Sequence, residues 1–240
     1  MERILQFSGG KDSLALLYLM EDEWDDLLVM WCNPGAPHAS TKVLMERVRA
    51  MVPHFIEVKG TQPHFLANVG YPSDLVPAGA TIIGRLVEHT KGDVFVSAYE
   101  CCAANLWRPM DAAVRLLGGK HVYRGQKDAD GRKSPVRDGH VENGITYHFP
   151  LQSWSDDDVV GFLGDRLPEH YSNGEKTSRD CWSCTAYLDE NAERIKRLPL
   201  AQRAFVQGKL ATLLDATNKT RAEIEACLTM ENSDVYSDAI

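Results

Sequence analysis

The stretch "FSGGKDSLALLYLM" spans residues 7–20 and joins two apolar segments near the start of the chain. Residues 3–7 have the composition of a short strand, and apolar side chains recur at helical spacing through residue 20. A strand, a glycine pair and a helix start make an anion site. The glycines let backbone N–H groups approach a phosphate, and the helix N-terminus adds a favourable dipole. The stretch therefore predicts a phosphate loop; the alternative is an ordinary strand-to-helix turn with a solvated lysine.

The polar residues of this loop suit a phosphate ligand. Lys11 can place a positive charge on phosphate oxygens, and Asp12 can hold a magnesium ion that bridges the phosphates. The Walker A pattern, with four residues between its first Gly and the Gly-Lys pair, does not fit this spacing. We take Lys11 and Asp12 as candidate catalytic residues, and the candidate nucleotide-binding residues of the loop are Ser8, Gly9, Gly10 and Ser13.

Short apolar runs alternate with helical segments along most of the chain. Strands are predicted at residues 27–32, 55–58, 94–98 and 121–124, with helices between them. This alternation is typical of a mostly parallel, Rossmann-like α/β sheet flanked by helices. From residue 188 onward the chain is helical and charged. We therefore expect a nucleotide-binding domain over residues 1–187 and a helical C-terminal extension over residues 188–240.

The composition narrows the class of protein. No apolar run reaches the roughly 18 residues that a membrane span needs, so we expect a cytoplasmic protein without membrane contact. The formal net charge of -8 argues against non-specific coating of nucleic acid, which needs clustered Lys and Arg. A local basic patch remains compatible with this charge.

The cysteines fall into a pattern. Cys101 and Cys102 are adjacent, and Cys181 and Cys184 form a C-x-x-C. In a reducing compartment such a grouping favours metal or redox chemistry over disulfides. Four thiolates could hold zinc or an iron–sulfur cluster, and a cubane accommodates an adjacent pair more easily than one tetrahedral zinc does. Buried cysteines without a metal are the remaining alternative.

Ser8 to Ser13 resembles the SGGxDS PP-loop of the adenine nucleotide alpha-hydrolase superfamily. This resemblance implies a Rossmann-like sheet that binds ATP with Mg²⁺, or an adenylyl sulfate. Many members of the superfamily cleave ATP between the alpha and beta phosphates. They release pyrophosphate and activate a substrate as an adenylate.

The four cysteines resemble the 4Fe-4S ligands of the assimilatory adenylyl-sulfate reductases, and "HFPLQSWSDDDVVGFL" resembles a helix start of the same family. Residues 3–188 together resemble the phosphoadenosine-phosphosulfate reductase family. That family has an Arg-rich, phosphate-contacting loop after the strand at 121–124 and approaches adenine and ribose after the second strand. The resemblance thus adds Lys127, Arg132, Asn33 and Gly35 as candidate nucleotide-binding residues, with Lys133 and Arg137 in the same polar loop.

Two departures separate this chain from the reductases. Cys227 lacks the Glu-Cys-Gly-Leu/Ile-His context of the reductase nucleophile, and the PP-loop keeps its lysine and aspartate. Both favour an iron–sulfur ATP pyrophosphatase of the phosphorothioation or thiolation type, which adenylates an acceptor for sulfur transfer. The alternatives are a sulfonucleotide reductase that releases sulfite and a non-catalytic nucleotide-binding subunit of a sulfur-modification complex.

The same resemblance suggests partners. A cysteine desulfurase or thioredoxin would supply sulfur or electrons, and a tRNA, a DNA or a small molecule would accept the sulfur. A homodimer is compatible with the sequence, which does not name the acceptor.

Overall fold

The computed structural model of the chain describes residues 1–131, 133–175, 178 and 180–228. Six strands form one sheet in the order β3-β2-β1-β6-β8-β7, and two further strands, β4 and β5, form a separate parallel pair. The strands are β1 (Arg3–Gln6), β2 (Leu27–Asn33), β3 (Phe55–Lys59), β4 (Tyr71–Ser73), β5 (Phe95–Ser97), β6 (His121–Tyr123), β7 (Val141–Glu142) and β8 (Ile145–His148).

Helices connect these strands and form the C-terminal part of the described chain. Short 3-10 turns lie at Glu21–Asp26, Ala78–Ala80 and Gly164–Arg166, and a π-helical turn spans Ala103–Trp107. The α-helices are α1 (Lys11–Leu19), α2 (Ala39–Met51), α3 (Gln62–Asn68), α4 (Ile82–Glu88), α5 (Ala98–Cys102), α6 (Arg108–Leu116), α7 (Asp156–Leu163), α8 (Glu169–Ser172), α9 (Leu188–Arg197) and α10 (Leu200–Leu228).

The order of the strands reverses beside β1. From β1 the chain runs outward through β2 to β3, and it then returns to place β6 in parallel on the other side of β1, with Arg3 opposite His121. In open α/β sheets, ligands bind outside the carboxyl ends of the strands at such a switch point. The loop after β1 carries the glycine pair, and the loop after β6 carries Lys127, so both reach the same edge of the sheet.

Apolar side chains cover both faces of the main sheet. One cluster joins Leu5, Phe7 and Val29 to buried residues of α1, α2 and α7. The other joins Ile4 and Met30 to Val114 of α6. Two helical layers thus enclose a mostly parallel sheet, which confirms the predicted α/β class with a helical C-terminal segment.

The strand predicted at 94–98 lies outside the main sheet. It is β5, and it pairs in parallel with β4, a three-residue strand that contains Pro72 and that the sequence pattern does not reveal. The helical extension packs on this small sheet, since Leu213 of α10 shares an apolar cluster with Phe95. The division of the chain at residue 188 stays a prediction. No described helix has the length and apolarity required to cross a membrane.

Candidate nucleotide loop and thiol cluster

The glycine pair lets the chain turn tightly between β1 and α1. Gly9 has a φ of 85°, and a Cβ there would lie 2.7 Å from the Cε atom of Met45. Gly10 is the N-cap residue of α1, and its N–H donates to the Ser8 hydroxyl at 3.3 Å. The Ser13 hydroxyl donates to the Gly10 carbonyl at 3.0 Å. The loop therefore presents the first turn of a nine-residue helix beside the carboxyl end of β1.

Two lysines from distant parts of the chain meet at this loop. The Lys11 ammonium lies 3.1 Å from an Asp12 oxygen and 2.6 Å from Oδ1 of Asp156. The Lys127 side chain is only 1% exposed; its ammonium contacts Asp12 and lies 3.0 Å from Asp130 and 3.2 Å from Asp156. The structure thus brings together three residues that the sequence singled out separately, namely Lys11, Asp12 and Lys127.

Contacts among these lysines and aspartates shift the pKa values of Lys127 and Asp156. Burial lowers the pKa of Lys127, but hydrogen bonds to Asp12 and Asp130 raise it more, so the net pKa lies above its ordinary value. The hydrogen bond from Lys11 lowers the pKa of Asp156 against a raising effect of burial, and Lys127 lowers it further. At neutral pH the site therefore contains the charged Lys127 ammonium beside the ionised Asp156 carboxylate.

Gly125 allows the loop after β6 to approach α1. A Cβ at this position would lie 2.7 Å from the carbonyl carbon of Asp12 and 2.8 Å from the Ser13 nitrogen. Both contacts are to backbone, which cannot move aside as a flexible side chain can. Only a residue without Cβ brings the segment that carries Lys127 so close to the glycine loop.

Sequence reasoning missed the contributions of α7 and α8. The segment that resembles a family helix start does begin α7, and Ser155 and Asp158 form a capping box there. Asp156, in the same turn, instead contacts both lysines. Tyr171 of α8 accepts a hydrogen bond from the backbone N–H of Lys11 at 3.1 Å. Nothing in the sequence pattern around Tyr171 marks this contact.

Asn33, the last residue of β2, stabilises the turn that follows the strand. The Asn33 amide donates to Oε1 of Glu57 at 2.8 Å, and its oxygen accepts from the N–H of Gly35 at 2.9 Å. Gly35 has a φ of 100°, and a Cβ there would lie 2.9 Å from a ring carbon of Pro63. A nucleotide-binding role for Asn33 and Gly35 therefore stays a prediction. Arg132 lies outside the described residues.

A cavity of about 310 Å³ opens beside the glycine loop. Its walls include Gly9, residues Ser40 and Thr41 at the start of α2, and Pro168 and His170 around the start of α8. It thus offers space next to the phosphate loop, bordered by both polar and apolar side chains.

The four predicted ligand cysteines come from two regions that meet in the fold. Cys101 and Cys102 end α5, and the chain continues without interruption through the π-helical turn into α6. Cys181 forms an isolated antiparallel bridge with Pro37, and Cys184 follows three residues later. Cys101 is buried and the other three are partly buried. The hydroxyl of Tyr187, three residues after Cys184, lies 3.5 Å from the sulfur of Cys102, so the two segments that carry the cysteines meet.

Burial and mutual repulsion raise the pKa values of these thiols. Burial, followed by the charges of Cys102 and Cys184, raises the pKa of Cys101 to about 12. Burial likewise raises the pKa of Cys102 to about 11, with Cys184 adding to the effect. The pKa of Cys181 rises through burial, the charge of Asp180 and those of the other three thiols. As free thiols all four are therefore neutral at pH 7.

Polar groups surround the sulfur atoms. The Asn105 amide lies 3.7 Å from the sulfur of Cys101, and the Tyr187 hydroxyl lies 3.5 Å from that of Cys102. The buried Arg194 guanidinium donates to the carbonyl oxygens of Cys181 at 3.1 Å and Cys184 at 3.3 Å, which fixes the C-x-x-C loop. Within the described residues, no three His, Cys, Asp or Glu side chains form a ready set of ligands for a metal ion.

The remaining cysteines differ from this group. Cys32 is the penultimate residue of β2, and its thiol donates to the Asn105 carbonyl at 3.4 Å. Burial, followed by the charge of Asp180, raises the pKa of Cys32 to about 12, so it too is a neutral thiol. Cys227 is exposed near the end of α10.

Comparisons with known proteins yield distant similarities. No protein-family model matches the chain, and no curated protein matches it significantly. Among solved structures, it is similar to a phosphoadenylyl-sulfate (PAPS) reductase from Candida auris, in a phosphate complex. The two chains are 17% identical with a TM-score of 0.49, over 75% of this chain and 82% of the other.

An FMN adenylyltransferase from Candida glabrata in complex with ATP is also similar, at 13% identity and a TM-score of 0.39. That likeness covers 68% of this chain but only 45% of the adenylyltransferase. Because both likenesses are remote, the fold class rests on the strand order of the chain itself.

Proposed function

We propose that the chain is an ATP pyrophosphatase that adenylates an acceptor for sulfur transfer. The observation that carries this proposal is the convergence of Lys11 and Lys127 on the glycine loop at the switch point of the sheet. Two ammonium groups and the amides of a helix start suit a triphosphate, which carries far more charge than a sulfonucleotide at this position. The adjacent cavity offers room for the rest of the nucleotide.

The residues would act mainly by electrostatics. Lys11, Lys127 and the loop amides would bind the beta and gamma phosphates and stabilise the charge that develops on the departing pyrophosphate. Asp12 would supply a carboxylate oxygen to Mg²⁺, which neutralises phosphate charge. Magnesium takes one or two carboxylates and completes its shell with phosphate oxygens and water, so this site needs no larger set of protein ligands.

We further propose that Cys101, Cys102, Cys181 and Cys184 hold a 4Fe-4S cluster. The donor set fits, because four thiols share one neighbourhood and a cubane spaces its ligands more widely than a single ion does. The Asn105 amide beside Cys101 would favour the thiolate form, as N–H donors do at cluster ligands. When bound, the cluster would take part in delivering the sulfur that displaces AMP from the adenylated acceptor.

The experiment that tests the nucleotide chemistry is an anaerobic incubation of the purified protein with ATP and Mg²⁺. We expect water to take the place of the absent acceptor, so that AMP and pyrophosphate form in equal amounts. This activity should be lost in Lys11→Ala and retained in Lys120→Ala, which removes an exposed lysine just before β6. Binding of ATP without AMP release would instead identify a non-catalytic subunit. Sulfite production from an adenylyl sulfate with thioredoxin would identify a reductase.

The cluster has its own test. Protein reconstituted anaerobically with iron and sulfide should show a broad absorbance at roughly 400 nm, which arises from iron–thiolate ligation. Cys181→Ser should weaken this band, whereas Cys227→Ser, which changes an exposed cysteine of α10, should not. Equal spectra for both variants would contradict the assignment.

A further inference from the structure

Both anion-binding groups of Lys11 are engaged by oxygen atoms from later parts of the chain. Its backbone N–H donates to the Tyr171 hydroxyl at 3.1 Å, and its ammonium donates to Asp156 at 2.6 Å. The Tyr171 hydroxyl also lies 3.4 Å from the position that a Cβ of Gly10 would take. This oxygen therefore sits directly against the glycine turn, where a phosphate oxygen would approach.

The chemistry of these contacts is that of a phosphate site. A backbone amide in the first turn of a helix and a lysine ammonium are the groups that phosphate oxygens engage. Gly10 caps α1 without a side chain, so Tyr171 supplies an acceptor that the N-cap residue cannot. Burial, together with the charges of Asp12, Asp180 and Glu175, raises the pKa of Tyr171 despite the Lys11 hydrogen bond. The hydroxyl is thus neutral and a weaker acceptor than phosphate.

We propose that Tyr171 and Asp156 are internal stand-ins for phosphate oxygens, so that a nucleotide binds by displacing them from Lys11. This inference rests on the nucleotide site of the proposed function. The affinity of the loop for phosphate then reflects a competition between ligand oxygens and these two side chains. Removing a stand-in removes a contact that the ligand must break, so it strengthens binding.

The opposite role would give the opposite result. If Tyr171 and Asp156 stayed in place and helped to hold the nucleotide, directly or through a metal ion, their removal would weaken binding. The sign of the change in affinity therefore separates the two roles.

The experiment is calorimetric titration of the full chain with pyrophosphate and with ATP. Tyr171→Phe keeps the ring and removes one neutral hydrogen bond, so we expect about fivefold tighter binding. The matched control is Tyr123→Phe, since the hydroxyl of Tyr123 accepts from Arg3 and lies on another element. Tyr123→Phe should leave the affinity unchanged.

Asp156→Asn tests the second stand-in independently. Because the Asp156 side chain is 69% exposed, we expect an effect of about two- to fivefold tighter binding, typical of a solvated ion pair. Asp157→Asn removes the same charge one residue away in the same turn, and a smaller effect there would show that the contact matters beyond net charge. Thermal unfolding of each variant confirms that it is folded.

The measured affinities show whether a nucleotide displaces Tyr171 and Asp156 from Lys11. Tighter binding in Tyr171→Phe and Asp156→Asn supports the inference, and unchanged or weaker binding in both overturns it while leaving the proposed function intact. If neither the wild type nor any variant binds pyrophosphate or ATP, the proposed nucleotide site itself is wrong. If only the variants bind, the stand-ins block the site almost completely.

Discussion

At the scale of single residues, one glycine sets the distance between the two loops of the candidate site. Alanine at position 125 would place a Cβ 2.7 Å from the backbone of Asp12, so Gly125→Ala must push the segment that carries Lys127 away from the loop. We expect a loss of ATP affinity of tenfold or more together with lower stability, on the order of 1–3 kcal/mol. Titration with ATP and urea unfolding measure the two effects.

Gly131 provides the control for this prediction. It lies in the same polar loop, and a Cβ there would meet nothing within 4 Å. Gly131→Ala should therefore match the wild type in both measurements. Equal behaviour of the two alanine variants would show that the close approach at Gly125 is unimportant for binding.

His148 on the main sheet makes stability depend on pH. Nδ1 of His121 lies 3.1 Å from Nε2 of His148, and the His148 ring stacks on Tyr123. Burial, then the positive charges of His121 and Arg3, lower the pKa of His148 below 6.5, against a raising effect of Asp138. The folded state then binds fewer protons than the unfolded chain as the pH falls through this range, so acidification destabilises it.

The measurement is the free energy of unfolding between about pH 7.5 and about pH 5.5, a window that brackets the ordinary histidine pKa. Wild-type stability should be nearly constant at the alkaline end of this window and should fall as the pH drops through the ordinary histidine pKa. His148→Gln should flatten the decline, while His64→Gln, which changes an exposed histidine of α3, should keep it. A steeper decline in His148→Gln would contradict the assignment.

At the scale of secondary-structure elements, the sequence predicted best the strands that carry a clear apolar run of their own. The predicted strands at 27–32 and 55–58 correspond to β2 and β3. The sequence missed β4 and α3, which are short and depend on tertiary contacts. It also left open that the helix after the cysteine pair contains a π-helical turn, because an extra residue per turn has no composition of its own.

The start of α7 gives a direct test of a predicted element. The Ser155 hydroxyl accepts from the Asp158 N–H at 3.1 Å, and an Asp158 oxygen accepts from the Ser155 N–H at 2.8 Å. Ser155→Ala removes half of this capping box and should cost about 1 kcal/mol in the free energy of unfolding. Ser153→Ala changes an exposed serine two residues earlier and should cost much less. Urea unfolding of both variants compares them, and equal costs would mean that the cap contributes little.

At the scale of the whole molecule, the site is a product of strand order. Lys11 and Asp12 were predictable because the glycine loop is a local motif, and Lys127 was predictable from the family resemblance. Asp156 and Tyr171 were not, because their approach to Lys11 depends on how α7 and α8 pack across the sheet edge. A sequence pattern reports what a segment tends to form, whereas these contacts depend on which segments become neighbours.

The same reasoning applies to the helical extension. The sequence predicts a helical extension after residue 187. In the fold, α10 packs on the small sheet through Leu213, and Lys209 forms an ion pair with Asp93 at 2.7 Å. Trp182, inside the C-x-x-C, packs edge-on against Phe205 of α10. These contacts tie α10 to the part of the chain that carries the thiols, so we expect the two parts to unfold together.

Two adjacent leucines of α10 test this cooperativity. Leu213 is 8% exposed and Leu214 is 58% exposed, so the same change to alanine removes core contacts at one position and surface at the other. Leu213→Ala should cost about 2–3 kcal/mol, and Leu214→Ala about 0.5 kcal/mol or less. If the chain unfolds as one unit, Leu213→Ala lowers the midpoint of a single calorimetric transition, and the absorbance of the reconstituted thiol centre is lost at that same lower temperature. Two transitions, of which only one moves, would instead establish residues 188–240 as an independent domain.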